Sequence, residues 1–110
     1  MNIQIFGKKK CFDTKKAERY FKERRIKVQN IDLLRYGMSR GEFTSVKNAL
    51  GLEALVDLSA PGAELITYLA HTIDKEEKLL ENPDFLKTPI VRNGKYATVG
   101  FCPEVWAKWE

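Results

Sequence analysis

No apolar run in this chain approaches the roughly 20 residues that a membrane span requires, so no spanning helix is expected. The first residues lack the long apolar segment of a secretory signal, and Ile3 already belongs to a strand-like run. Cysteine is scarce. Cys11 and Cys102 lie 91 positions apart (102 − 11), which does not resemble a secreted disulfide framework. A reducing cytoplasm is the expected location. Histidine is scarcer still: His71 has no second His or Cys at ligand spacing, so it reads as structural and no metal centre is expected. A phosphate-cradling glycine loop, a Ser/His/Asp pattern, internal repeats, linkers and low-complexity segments are all missing.

What is present suits one domain, residues 1–110. At 44% hydrophobic and 31% charged residues, the chain should bury one ordinary core. The formal net charge is +4, and much of the excess lies between residues 8 and 27. Ten lysines and arginines fall there against Asp13, Glu18 and Glu23. A cluster around one helix is a site-sized field or a solvated face, not the long stripe that tracks a nucleic acid. Direct nucleic-acid binding is therefore not expected.

Residues 2 to 7 read as a first strand. The stretch Asp13–Arg25 follows as a helix, with Phe12, Ala17, Tyr20, Phe21 and the stem of Arg24 near helical spacing. Asp13 or Thr14 could cap its first turn. Residues 26 to 33 alternate apolar and polar, as a strand with one buried face does. Strand, helix and strand at this spacing form a βαβ unit with parallel strands and a right-handed crossover. Ser39 and Glu42 match a capping box, and Phe43, Val46, Ala49 and Leu50 then line one helical face, closed by Gly51. Leu52–Leu58 is a short helix or turn, and residues 59 to 62 break the pattern. Leu65, Ile66, Leu69 and Ile73 predict a third long helix carrying His71; a short one, Lys75–Leu80, stops at Asn82-Pro83. Asn93-Gly94 marks a hairpin between residues 89–92 and 95–99. Pro103 opens a last helix in which Trp106 and Trp109 serve packing.

Cys11 is the residue with chemistry. It stands between the first strand and the first helix, directly after Lys8, Lys9 and Lys10. A helix N-terminus presents unpaired N–H groups and partial positive charge, and both it and nearby ammonium groups favour thiolate over thiol. Lys10 and the helix start are the expected stabilisers, with Thr14 in the first turn. Asp13 opposes them as an anionic neighbour. The alternative is a small apolar residue packed under the helix.

With Cys11 after the first strand, Lys15-Lys16-Ala17, residues 79 to 91 (LLENPDFLKTPIV), Val99-Gly100-Phe101 and Pro103-Glu104 with Trp106, the chain resembles the arsenate reductase-like family. That family includes glutaredoxin-coupled arsenate reductases and Spx-type regulators of RNA polymerase. The resemblance covers nearly the whole chain. It implies an α/β, thioredoxin-like fold: a four-stranded mixed sheet of order 2-1-3-4 with a helical insertion at about residues 38–82. It also implies that Cys11 is the nucleophile and that Thr88–Pro89 is a cis peptide, with Thr88 and Pro89 exposing backbone to an extended substrate.

The departures narrow the function. The family's arsenate reductases place arginines in the loop after the second helix, directly before the cis proline and near the end of the last strand. This chain has Asp57–Gly62, Thr88, and Phe101 or Cys102 there. Bidentate arginines are the usual grip on a tetrahedral oxyanion, so arsenate reduction is not expected. Spx-type regulators carry Cys-x-x-Cys, whereas Thr14 stands where the second cysteine would be. A single-cysteine site can still turn over if glutathione or a glutaredoxin resolves the mixed disulfide. No bound cofactor is expected, with glutathione as the candidate co-substrate. Cys102 shares the sheet edge with Cys11 and is the candidate resolving thiol. Strands one and four, however, lie about 10 Å apart, beyond the roughly 7 Å between Cα atoms that a disulfide allows, so a bridge would need loop movement. Three functions compete: a thiol oxidoreductase, an Spx-like module binding RNA polymerase, and a scaffold without thiol chemistry.

Overall fold

A computed structural model describes residues 2 to 109. Strand β1 (Ile3–Gly7) leads through a short loop into α1 (Phe12–Glu23), and β2 (Val28–Asp32) returns parallel to β1. Helices α2 (Leu33–Tyr36), α3 (Arg40–Leu50) and α4 (Leu52–Leu55) follow, then a 3-10 segment (Ala63–Tyr68) and α5 (Thr72–Glu81). Strands β3 (Ile90–Asn93) and β4 (Tyr96–Val99) form the hairpin, and α6 (Pro103–Ala107) closes the fold. The sheet order is β2-β1-β3-β4, with β3 antiparallel to both neighbours. This is the thioredoxin-like arrangement expected.

Alternation along the strands divides the core in two. Ile3, Ile5 and Val91 face α1 and α6, where they pack with Ala17, Tyr20, Phe21 and Trp106. Phe6 and Ile90, paired across β1 and β3, face the other way into a larger cluster built from α2 to α5. The two layers are tied by different means. Trp106 is fully buried among Tyr20, Phe21 and Phe101, and its indole N–H donates to Thr98 Oγ1 at 2.8 Å. On the opposite face, Arg92 donates to Gln4 and Ser45, and Gln4 donates to Gln29 and Glu42, docking α3 on the sheet. Lys47 of α3 pairs with the buried Glu76 of α5.

Several expectations are corrected. The helix expected through Leu65, Ile66, Leu69 and Ile73 is a 3-10 segment that ends before extended residues Leu69 and His71, and α5 begins afresh at Thr72. Of those four apolar residues only Ile66 is buried, so their spacing marks no common face. His71 is the exposed N-cap of α5 rather than a residue within a helix. Ala49 is exposed, while the capping box of Ser39 and Glu42 forms as expected. Helix α1 has Cys11 at its N-cap position, without a side-chain capping hydrogen bond, rather than Asp13 or Thr14. Its inner face runs Thr14, Ala17, Tyr20 and Phe21, and Phe12 lies about 200° from Thr14 at 100° per residue. Phe12 is therefore 81% exposed rather than part of the core. The hairpin turn is Gly94-Lys95, because Asn93 pairs with Tyr96. Only Gly94 of that loop has a positive φ, the position where a two-residue turn of type II′ places glycine. Helix α6 ends at Ala107, so Trp109 packs against the core from beyond it.

Candidate functional site

Five chain segments meet at the end of the sheet where β1 stops. The β1–α1 loop brings Lys8, Lys9, Lys10 and Cys11. The start of α2 brings Leu34, the segment after α4 brings Asp57, and the approach to β3 brings Lys87 and Thr88. Val99 and Gly100, leaving β4, complete a cleft of about 770 Å3. The Thr88–Pro89 peptide is cis, and the Pro89 carbonyl accepts from Gly100 N–H at 2.9 Å.

Cys11 is half-buried and opens into this cleft. As a thiol, its Sγ–H donates to the Thr88 carbonyl at 3.5 Å. Partial burial pushes its pKa up, but the hydroxyls of Thr14 and Thr88 and the N–H groups of Thr14 and Asp13 outweigh it. The net pKa lies below the ordinary thiol value. Those N–H groups belong to the second and third residues of α1, the donors that an N-cap group faces.

The lysines have other roles. Lys8 Nζ donates to the carbonyls of Asp84 and Leu86 at 2.9 and 2.8 Å, which pins the β1–α1 loop to the segment leading into Thr88. Nothing in the composition singled Lys8 out for that strut. Lys9 lies 3.9 Å from Asp32. Lys10, expected as a thiolate stabiliser, is exposed at the cleft rim and supplies none of the contacts that lower the Cys11 pKa. Hydrogen bonds do that work. The charge of Asp13 bears on Cys102, raising its pKa, while its backbone N–H assists Cys11.

The segment carrying Asp57 is fixed by its own short ladder. Asp57 N–H donates to Phe85 at 2.7 Å, Lys87 N–H donates to Leu55 at 2.8 Å, and Val56 bridges Leu86. Its carboxylate accepts from Ser59, which chiefly holds its pKa below the ordinary value, and Lys8 and Lys87 add to the effect against slight burial. An ionised carboxylate thus faces the cleft where an oxyanion site would want a cation. No arginine lines the cleft among the described residues. Arg92 is spent on Gln4 and Ser45 at the other end of β3.

Cys102 is a free, half-buried thiol, as is Cys11. Burial and the charges of Glu104 and Asp13 push its pKa up, against a lowering contact from Thr98. Its Sγ–H donates to the Val99 carbonyl at 3.4 Å, and it packs on the core layer of Trp106. The two cysteines are thus prepared oppositely, one toward thiolate and one toward thiol. Among the described residues no group of His, Cys, Asp and Glu could hold a metal ion, and no helix is long and apolar enough to cross a membrane.

Neither a protein-family model nor a curated protein matches the chain. Solved structures do. An arsenate reductase from Vibrio cholerae superposes with a TM-score of 0.85 at 19% identity, covering 98% of this chain and 97% of that one. An arsenate reductase (ArsC) related protein from Brucella melitensis gives 0.65 at 21% identity, over 99% and 94% of the two chains. The glutaredoxin-like NrdH-redoxin from Escherichia coli gives 0.54 at 14% identity, over 100% and 96%. At such identities the likeness is one of fold: end to end, this chain has the thioredoxin-like fold of those proteins.

Proposed function

We propose that this protein is a cytoplasmic thiol oxidoreductase of the arsenate reductase-like family, working through the single thiolate of Cys11. The observation that carries this reading is the placement of Cys11. It stands at the N-cap position of α1 beside the cis Thr88–Pro89 peptide, opens into a cleft, and has neighbouring donors that favour the anion. In the first step the Cys11 thiolate attacks one sulfur of a substrate disulfide. A Cys11–substrate disulfide forms and the other substrate sulfur leaves as a thiolate. In the second, a glutathione thiolate, free or delivered by a glutaredoxin, attacks the sulfur bonded to Cys11. Cys11 leaves as the thiolate again, the attacking and substrate sulfurs are joined as a disulfide, and a second glutathione thiolate reduces that bond to give glutathione disulfide and the substrate thiol. Cys102 remains a protonated bystander. Arsenate is not the proposed substrate, because the cleft lacks an arginine and holds the Asp57 carboxylate.

The test is glutathione-dependent reduction of bis(2-hydroxyethyl) disulfide. Activity should vanish in Cys11→Ser and persist in Cys102→Ser. A parent rate no higher than that of Cys11→Ser refutes the oxidoreductase. In that event, salt-sensitive binding to RNA polymerase retained by Cys11→Ser would favour a regulatory module instead.

A further inference from the structure

Gly7 is the last residue of β1, buried, and four positions before the nucleophile. A Cβ built on it would lie 2.2 Å from Thr14 Cγ2, 3.0 Å from Thr14 Oγ1 and 3.2 Å from Thr14 Cβ. The strand end and the first turn of α1 therefore touch with only a glycine hydrogen between them. Thr14 is itself buried, and its hydroxyl oxygen accepts the Lys8 backbone N–H at 3.4 Å. With that lone pair engaged, the hydroxyl proton is free to turn toward the Cys11 sulfur, and Thr14 is the residue whose side chain most favours the Cys11 thiolate.

We infer that Gly7 is a positioning residue for Cys11: by presenting no side chain to the Thr14 methyl, it sets the one rotamer in which the Thr14 hydroxyl links Lys8 N–H to the sulfur. A methyl at position 7 leaves two escapes. Thr14 can turn by one rotamer, which carries its hydroxyl away from Lys8 and Cys11, since a β-branched side chain has few staggered positions. Otherwise the start of α1 must move off β1, which takes the Asp13 and Thr14 N–H groups away from the sulfur. Either escape weakens the same set of donors. The inference rests on the reading that Cys11 works as a thiolate.

The experiment follows iodoacetamide alkylation of Cys11 against pH in a Cys102→Ser background, with thermal melts to confirm folding. A parent midpoint at the ordinary thiol value would end the functional reading before any variant is compared. Given a low parent midpoint, Thr14→Ala and Gly7→Ala should each raise it, slowing alkylation at pH 7 about three- to tenfold, as loss of one hydrogen bond to the anion implies. The double variant Gly7→Ala/Thr14→Ala loses both the crowded methyl and the hydroxyl and keeps only a Cβ–Cβ approach of 3.2 Å, so its midpoint should lie much closer to that of Thr14→Ala than the sum of the two single shifts. A folded Gly7→Ala protein with the parent midpoint overturns the proposal. So does a double variant whose midpoint exceeds that of Thr14→Ala by the full Gly7→Ala shift. If Gly7→Ala does not fold, Thr14→Ser decides. It keeps the hydroxyl but lacks the methyl that Gly7 abuts, so its midpoint should fall between the parent and Thr14→Ala. A Thr14→Ser midpoint equal to the parent overturns the proposal.

Discussion

Thr98→Val isolates the bond that ties α6 to β4. The Trp106 indole N–H donates to Thr98 Oγ1 at 2.8 Å, with Trp106 0% and Thr98 6% exposed. Valine keeps the outline of threonine but offers no acceptor. The buried indole N–H, which can only donate, is left unpaired at a cost of about 1–3 kcal/mol. Replacing the hydroxyl by a methyl in an apolar setting returns about 0.8 kcal/mol. The net loss should be about 0.2–2 kcal/mol, or roughly 1–16 °C in Tm at about 4–8 °C per kcal/mol. The assay is urea unfolding followed by Trp fluorescence, with Trp106→Phe and the double variant read by circular dichroism. The double variant removes both partners, so its loss should fall short of the summed single losses by about 1 kcal/mol. A Thr98→Val protein as stable as the parent, with no coupling to Trp106, would refute the reasoning, since it would mean that the indole finds another partner at no cost.

The remaining predictions concern the thiols and the insertion. Thr88→Val keeps the carbonyl that accepts from Cys11 but removes a hydroxyl that favours its thiolate, so the alkylation midpoint of Cys11 should rise. Salt tests the origin of the effect. Between ~0.05 and ~1 M salt that midpoint should scarcely move if oriented hydrogen bonds set it, whereas a field of lysines would be screened and the midpoint would climb. The folded pKa of Cys11 lies below its ordinary value of 9.0. Its ionisation therefore adds stability as pH rises from the folded pKa toward 9.0, and that stability is lost as pH falls back through the folded pKa. In a Cys102→Ser background, the unfolding free energy of the parent minus that of Cys11→Ser should grow over this interval, and a flat difference would contradict the lowered pKa. Lys47→Met leaves the Glu76 carboxylate, 8% exposed, without its cation and should cost about 1–3 kcal/mol by urea titration, while Lys47→Met/Glu76→Leu should regain most of it.

The parts of the fold that rest on short-range rules were legible. Ser39 and Glu42 satisfy each other across three residues, so their capping box needs no tertiary help and forms as read. The alternation in β1 and β3 assigns each residue to one of two layers. Where several apolar residues happened to share helical spacing, the rule misled. Leu65, Ile66, Leu69 and Ile73 have the period of a helix, but only Ile66 has a core to face, and packing rather than period decides where a helix persists. The hairpin slipped by one residue for a related reason. Asn-Gly marks a turn well, yet the pairing of Ile90 with Val99 and of Val91 with Thr98 fixes the register from the strands, which draws Asn93 into β3 and leaves Gly94-Lys95 as the loop.

For the site, the position of Cys11 and the cis Thr88–Pro89 peptide followed from the motifs, whereas the way the sulfur is handled did not. Three consecutive lysines before a cysteine suggest a positive field, because sequence reports proximity along the chain and says nothing of where an ammonium points. In the fold, Lys8 reaches away to two carbonyls, Lys9 toward Asp32, and Lys10 into solvent at the rim. What faces the sulfur instead is a set of neutral dipoles: two threonine hydroxyls and two amide N–H groups. Dipoles aimed at short range favour the anion without attracting every passing counterion, and they discriminate by geometry where a cluster of cations would not. They also explain why the cleft can carry the Asp57 carboxylate without forfeiting the thiolate. The groups that favour the sulfur anion are local to the start of α1 and to Thr88, so a carboxylate across the cleft leaves them in place.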